Sequence, residues 1–538
     1  MNKIYKNILL TALTLATGAA LTGCGDFLDP KSKSEFVPKD AQSLNELLLG
    51  EAYPISSMAN FECFVHLLDD DVTAAPYQEP SMSVIPDLYF SPYTWQGDLW
   101  ETMRVSGSGN VNIYAALYQK ILGCNAILDY IDQAIDSKTN KDYVLGQAYA
   151  LRAFYYLQLV NVFAKPYALA PESEGVPLKV NSGIENKPLS RATVAQVYDQ
   201  MIADLHQAEA IFLEQPKEKQ WKANFRVNLP MIQMLLSRTY LYMEKWTEAA
   251  EYAKKVMDNT NFSLLNLANI PTVNEENGLP YYYDYHDFKN SSEVIWGYGD
   301  VDDFTKYVAD RRRENGRNIW PTFRASDELL ASFDETPGDL RKERYIVTTD
   351  YCSEYYVTDE EGNQVKARMP LVYGKISVSP TLWNPKQNQG DNGRSIRLSE
   401  AYLNYAEACA NLFKEGHGDG RTNALSALNE LRKYRFDSEN YQALDIAGAD
   451  QLVEFVHNER RRELCYEGHR WFDIRRWGTK EIRHIWYTSA NSYDVYVLHP
   501  NDPGFVVPLP DTALESNPEL HQNELSPIPR SAEETVQP

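Results

Sequence analysis

Seven stretches of this chain carry apolar residues at the three-and-four spacing of a buried helix face: Tyr114 to Ile135, Val144 to Phe163, Val194 to Phe212, Pro230 to Met257, Leu398 to Phe413, Asn423 to Tyr434 and Gln451 to Cys465. They come in adjacent pairs. A helix with one apolar face must bury it against a neighbour, so the pattern predicts a mainly α fold of stacked helix pairs. The clearest pair runs through Leu236, Ser237, Tyr240, Ala249, Ala253 and Val256 and fits the tetratricopeptide pattern, with Trp246, Ala249 and Ala250 as the turn and start of the second helix. Small residues let two antiparallel helices approach, while bulky ones fill the groove to the next pair. Between Leu264 and Asn392 the texture changes to Tyr, Asn, Gly and Pro with short β-prone runs, Val294-Ile295-Trp296 and Tyr355-Tyr356-Val357. The expectation is a helical superhelix with a large loop-rich insertion, the kind of ground where ligand sites tend to lie.

The amino-terminal end constrains location. Lys3 and Lys6 precede an uncharged, mostly apolar run from Ile8 to Ala20, closed by Leu21-Thr22-Gly23-Cys24. That order of parts reads as a secretory leader with a lipobox, cut before Cys24, whose thiol accepts a diacylglycerol with palmitate-type chains. The apolar run is shorter than the roughly 20 residues a spanning helix needs. No later stretch is long and apolar enough to span either, so the membrane is met only through the lipid. The expected organisation is a leader at 1–23, a lipidated tether at 24–42 broken by Pro30 and Pro38, and one domain at 43–538. Within it, helical repeats occupy about 43–260 and 393–480, the loop-rich part 261–392, and an irregular carboxy-terminal segment 481–538.

Composition then excludes partners. A formal charge of -23, made more negative by loss of the two leader lysines, repels phosphate backbones, and no basic stripe offsets it, so nucleic acid is not expected. Polyanions are disfavoured except where a local basic pocket receives them. Aromatic residues make up 12% of the chain, 36 of them Tyr and 10 Trp, which is far too many large side chains for disorder. After Cys24, the cysteines Cys63, Cys124, Cys352, Cys409 and Cys465 are odd in number and lack CxxC spacing, so neither a zinc site nor a disulfide framework is indicated, and their disulfide state stays open. Cys124 and Cys409 sit in apolar helical contexts, as buried structural thiols do.

Several phrases occur in order along the chain: the lipobox followed by Asp26-Phe27-Leu28-Asp29-Pro30, Asn125-Ala126-Ile127-Leu128, Ala148-Tyr149-Ala150-Leu151-Arg152-Ala153-Phe154-Tyr155-Tyr156, Pro321-Thr322, Asp339-Leu340-Arg341, and Arg397 through Ala408. Then come Glu459-Arg460-Arg461-Arg462-Glu463-Leu464, Glu467-Gly468-His469-Arg470-Trp471-Phe472-Asp473, Pro508-Leu509-Pro510 and Asn517-Pro518. The chain resembles the SusD/RagB family of outer-membrane nutrient-binding lipoproteins over nearly its whole mature length. The resemblance implies a mostly helical fold with tetratricopeptide-like pairs, display at the cell surface, and capture of an oligosaccharide or polysaccharide for a TonB-dependent transporter of the SusC type. It also implies that the tetratricopeptide-like face meets the transporter. Some members are thought to serve peptides, which is the alternative reading; catalysis is not implied.

The residues themselves give the enzyme reading little. The block from Glu459 to Asp473 gathers Glu463, Glu467, His469 and Asp473, but a carboxylate-pair hydrolase needs its groups roughly 5 to 10 Å apart across a cleft with one pKa raised. The interleaved Arg460, Arg461, Arg462 and Arg470 would lower carboxylate pKa values instead. Charge-paired helix ends over Trp471, Phe472 and Trp477 are the expected structure there. No GxSxG, HExxH or Walker pattern occurs, so a helical glycoside hydrolase is the weaker third reading. Asp69-Asp70-Asp71 follows an apolar run, and Asp71 is a candidate to accept sugar hydroxyls or hold calcium, though calcium usually takes six or more spaced oxygens and no cofactor is indicated. Gly416-His417-Gly418-Asp419-Gly420 lacks that ladder and reads as a turn between helices. Pyranose rings pack their C–H faces on Trp and Tyr, so the loop-borne aromatics Trp95, Trp100, Tyr283 (in Tyr281-Tyr282-Tyr283), Trp296 and Trp320 are the candidate ligand platform.

Overall fold

The computed structural model describes residues 39–54, 63–75, 89–105, 112–184, 187–222, 224–272, 283, 285–288, 290–299, 311–314, 317–321, 323–349, 354–358, 364–368, 371–374, 394–489 and 492–537, the strands at 311–321 and 347–374 by their backbone alone. Cys24 and the leader, with Tyr281, Tyr282, Cys352 and the side chain of Trp320, lie outside the described residues.

Helices carry the fold. They are α1 (Ala41–Glu51), α2 (Ile113–Tyr130), α3 (Lys138–Phe163), α4 (Val194–Leu213), α5 (Leu229–Tyr242), α6 (Trp246–Met257), α7 (Leu398–Lys414), α8 (Gly420–Lys433), α9 (Ala449–Leu464) and α10 (Arg470–Arg476). Their starts are written locally: Asn112, Ser137, Thr193 and Asn228 each accept a backbone N–H of the first turn, and Thr193 with Gln196 forms a full capping box. The stretch Pro230 to Met257 splits at a turn where Glu244 takes φ 58°, giving the α5–α6 pair. In that pair Leu236, Ser237, Ala249, Ala253 and Val256 are buried, and the Ser237 hydroxyl donates to the Ala249 carbonyl at 3.0 Å. The packing runs α2 on α3, α3 on α4, α5 on α6, α6 on α7, and α7 on α8 and α9. From Val144 onward α3 is buried on almost every side, as a helix at the centre of the stack must be. The Gly416–Gly420 turn joins α7 to α8, with Gly416 at φ 97°, a backbone that favours glycine.

Strands are short. β1 (Val294–Tyr298) pairs antiparallel with β2 (Arg394–Arg397), and the hairpin of β3 (Ile482–Tyr487) and β4 (Tyr493–Leu498) adds β5 (Glu534–Val536). The carboxy-terminal segment is therefore not simply irregular. Between β4 and β5 it runs as a strip fastened to the helices by Val507 N–H donating to Val162 O and Asn523 Nδ2 to Phe163 O, and held on itself by Arg530, which donates to Asp502, Val497 O and Ser526. Arg191 ties the strip from the other side, donating to His521 O and Asn523 Oδ1. Cys124 and Cys409 are buried free thiols, and Cys465 is buried.

Candidate functional site

The charged block on α9 and α10 closes on itself. Arg435 reaches Glu293 at 2.6 Å and Glu463 at 2.8 Å, Arg397 reaches Glu293 at 2.7 Å and Glu467 at 2.6 Å, and Tyr345 donates to Glu463 at 3.0 Å. Arg341 adds Asp339 and Glu459, while Arg476 and Arg460 take Glu407 and Asp473. All of these groups are buried. Burial works against each charge, but the facing arginines outweigh it and hold Glu407 and Glu459 well below the usual carboxylate range. A proton-donating acid needs the opposite shift and an open face, so the block is a clamp between segments far apart in sequence.

The Asp69–Asp71 triplet belongs to a second such knot. Asp71 Oδ1 accepts from Arg461 at 2.7 Å, Asp70 accepts two bonds from Arg470 at 2.6 and 2.8 Å and also meets Lys480, and Asp69 Oδ1 accepts the Asp71 N–H. Burial raises Asp70, but Arg461 and Arg470 overcome it and hold it low; Asp69, with no such partner as near, is pushed well above its ordinary value by burial and its two acidic neighbours. Asp71 as a ligand residue is thus corrected: it is 2% exposed and faces a guanidinium.

Two members of the expected aromatic platform, Trp296 and Trp95, are corrected in the same way. Trp296 is 0% exposed, its indole N–H donating to Phe225 O at 2.7 Å, its ring stacked on Tyr298 at 4.9 Å and met edge-on by Phe154. Trp95 is 3% exposed and stacks at 4.3 Å on His484, which stacks in turn on Tyr93 at 4.1 Å. Its N–H donates to Leu68 O and its backbone is left-handed at φ 52°. Neither ring has a face to offer a sugar. Trp100 is half-buried, donates to Pro508 O at 2.7 Å and packs on Phe163 and Phe64. Tyr283 is half-buried and rests on Tyr285 beside a small separate core of Leu267, Ile270 and Tyr345, its hydroxyl donating to Asn290 O. Trp320 stands in the strand Arg317–Pro321, paired with Arg311–Glu314. The five whose side chains are described, Asp71, Trp95, Trp100, Tyr283 and Trp296, do not line one open cleft.

Open space lies elsewhere. A cleft of about 660 Å³ is walled by the start of α2, residues 177–179 and 187–189, and the short helix Asp511–Ser516. Tyr114 and Tyr118 lie in it with ring centroids 4.9 Å apart, and Ala115 faces it from the exposed side of α2. Its walls are sewn by polar bonds: Asn112 Nδ2 donates to Thr512 Oγ1 at 2.9 Å, Tyr118 to Pro177 O at 2.7 Å, and Asn517 Nδ2 to Leu189 O at 2.8 Å. Lys187 and Ser516 stand at the exposed rim. None of the described lining residues is a carboxylate, histidine or cysteine, so the cleft offers rings, amides, hydroxyls and an ammonium for binding and no described group to protonate a leaving oxygen. Its volume is that of a small-ligand site. Sequence reading placed Tyr114 in a helix and Asn517-Pro518 in a family phrase, but nothing local joins residues some 400 positions apart.

Comparisons with known proteins agree with this architecture. The family model described as "SusD family" matches residues 281–525, and one described as "Starch-binding associating with outer membrane" matches residues 26–241. A SusD-like protein of Formosa agariphila is 27% identical over 65% of this chain and 70% of its own length. A SusD-like protein of Bacteroides ovatus is 21% identical over 86% of this chain and 82% of its own. Among solved structures, a SusD superfamily protein from Bacteroides thetaiotaomicron superposes with a TM-score of 0.64 at 21% identity, covering 90% of this chain and 99% of that one. A SusD-like carbohydrate binding protein from Bacteroides vulgatus gives 0.64 at 21% identity, over 90% and 98%. At such identities the two structures establish a shared fold.

Proposed function

The chain belongs to the SusD family, and from that membership together with the open cleft at Tyr118 we propose that it is a lipid-anchored, cell-surface glycan-binding protein that captures an oligosaccharide and passes it to a SusC-type TonB-dependent transporter in the outer membrane. It acts by binding, not by catalysis. The observation that carries the reading is the cleft itself: the half-buried ring of Tyr118 beside the exposed Ala115, with the amides and hydroxyls of Asn112, Thr512, Ser516 and Asn517 around them and no described acid pair. A second place for the glycan is the insertion that carries Tyr283, which packs on a small core separate from the main one, and the strand of Trp320.

Affinity gels cast with a panel of neutral polysaccharides test this directly. Ala115→Trp, which fills the cleft from an exposed helix position, is expected to weaken retention by the preferred glycan tenfold or more with unchanged circular dichroism. Unchanged retention in Ala115→Trp together with loss in Trp320→Ala moves the site to the insertion. Peptides that raise the melting temperature where no glycan does would replace the glycan reading by the peptide one. Cys24→Ala is expected to shift the protein from the membrane pellet to the soluble fraction, and the lipidated chain to co-purify with a β-barrel transporter from detergent extracts.

A further inference from the structure

On the far side of the carboxy-terminal strip lies a second cleft, of about 460 Å³, and Arg475 lies in its wall. That arginine departs from the rest of the molecule. Arg152, Arg238, Arg341, Arg435, Arg476 and Arg530, equally buried, each hold a carboxylate oxygen at 2.7 Å or less. Arg475 is 2% exposed and meets no carboxylate among the described residues. Its guanidinium donates only to the carbonyls of Asn161 and Ala164 at the end of α3, and its Nε has no hydrogen-bond partner.

A helix carboxyl terminus carries about half a negative charge, so α3 compensates the guanidinium only in part. Burial, slightly offset by Tyr198, pushes Arg475 down to about 10, which leaves it a cation at neutral pH. The other charges at the cleft do not cancel it. Asp502 is paired with Arg530, and Glu174 with Arg191 and His521, leaving Glu524 against Arg475 and Lys165. The remaining walls are Leu169 and Phe505 on the apolar side and Thr479, Asn501 and Gln522 on the polar side.

We propose that this cleft is a second saccharide site, distinct from the one at Tyr118, which takes a sugar ring bearing a single carboxylate, with the acid directed at the wall formed by Arg475. The apolar side accepts the ring face, and the Asn501 amide and Thr479 hydroxyl meet its hydroxyl groups, while the Gln522 amide, bonded to Leu509 and Asn523, holds the strip in place. The protein's strongly negative field then selects a lone uronic acid over a polyuronate. The sugar part of the assignment rests on the glycan-binding reading above, whereas the carboxylate part rests on Arg475 alone.

Isothermal titration of the full chain with a glucuronate-terminated disaccharide, its neutral glucose counterpart and a dipeptide with a free carboxylate tests the site. The acid disaccharide should bind saturably and at least tenfold more tightly than the neutral one. Ala170→Trp, which fills this cleft, and Arg475→Met should both abolish that preference; where Arg475→Met does not fold, the wild-type comparison and Ala170→Trp decide. Equal affinity for acid and neutral sugars, no binding of either, acid binding that survives Ala170→Trp, or binding of the dipeptide alone would each overturn the proposal. Retention on neutral polysaccharide gels should be untouched by Ala170→Trp but lost in Ala115→Trp, so failure of one site is distinguishable from failure of the other.

Discussion

The knot on α9–α10 and the cleft beside α2 are both built from polar and aromatic side chains, yet in opposite ways. In the knot every carboxylate faces a guanidinium, water is excluded, and rings such as Trp296 and Trp471 are sealed within the neighbouring core. In the cleft the polar groups bond across the rim and leave the interior open. Functional groups of the same kind clamp one region and equip the other to bind. Whether a polar cluster is a site depends on what fills the space between its members.

Removing a partner from the knot should show the largest effect. Glu463→Ala removes one of the two carboxylates that Arg435 and Arg397 share, leaving Glu293 to face both guanidinium groups in a dry interior, and a loss of about 3–5 kcal/mol in denaturant unfolding is expected. A loss below about 1 kcal/mol would mean that the knot does not clamp the segments it joins. Trp296→Ala comes next, at about 3–5 kcal/mol from a large buried cavity, with glycan retention of the folded fraction unchanged. Lost retention in a stably folded Trp296→Ala would return that ring to the site.

Acid should separate the regions more gently. His66, His469 and His484 are all held below their ordinary value by burial, His484 at about 4. Each must stay neutral to remain folded. Their contribution is fully present above about pH 6.5 and declines as pH falls toward 4, so the melting temperature should drop over that window by the equivalent of a few kcal/mol. A flat profile from pH 7 to 4.5 would contradict it. The smallest change in stability belongs to Ala115→Trp, within about 0.5 kcal/mol of wild type because the position is an exposed one, although its effect on binding is large.

Helices, the α5–α6 pair and the Gly416–Gly420 turn were legible because their causes are local: apolar spacing, small residues at a helix contact and glycines in a turn. The structural role of the Glu459–Asp473 block was legible too, since interleaved arginines argue against a raised carboxylate pKa. The aromatic platform was not. Trp95 stands among Gly, Ser and Pro, which reads as an exposed loop, but its indole bonds to Leu68 O and stacks on His484, nearly 400 residues away. Trp296 lies in a short β-prone run whose edge partner, β2, follows only after the whole insertion. The cleft had no local signature at all, being assembled from three segments that meet only in the folded chain.

The carboxy-terminal strip carries one more consequence. It walls both clefts, Thr512 to Leu520 on one side and Asn501 to Glu524 on the other, while the helical frame supplies the opposite walls. It is fastened by bonds at Val507 and Asn523 and buries Phe505, Val507, Leu509 and Leu520 in the core of the stacked helices. Its exposed positions Asn501, Thr512 and Ser516 shape the two openings while its buried ones complete the core, so one short stretch of chain couples the form of both clefts to the packing beneath them.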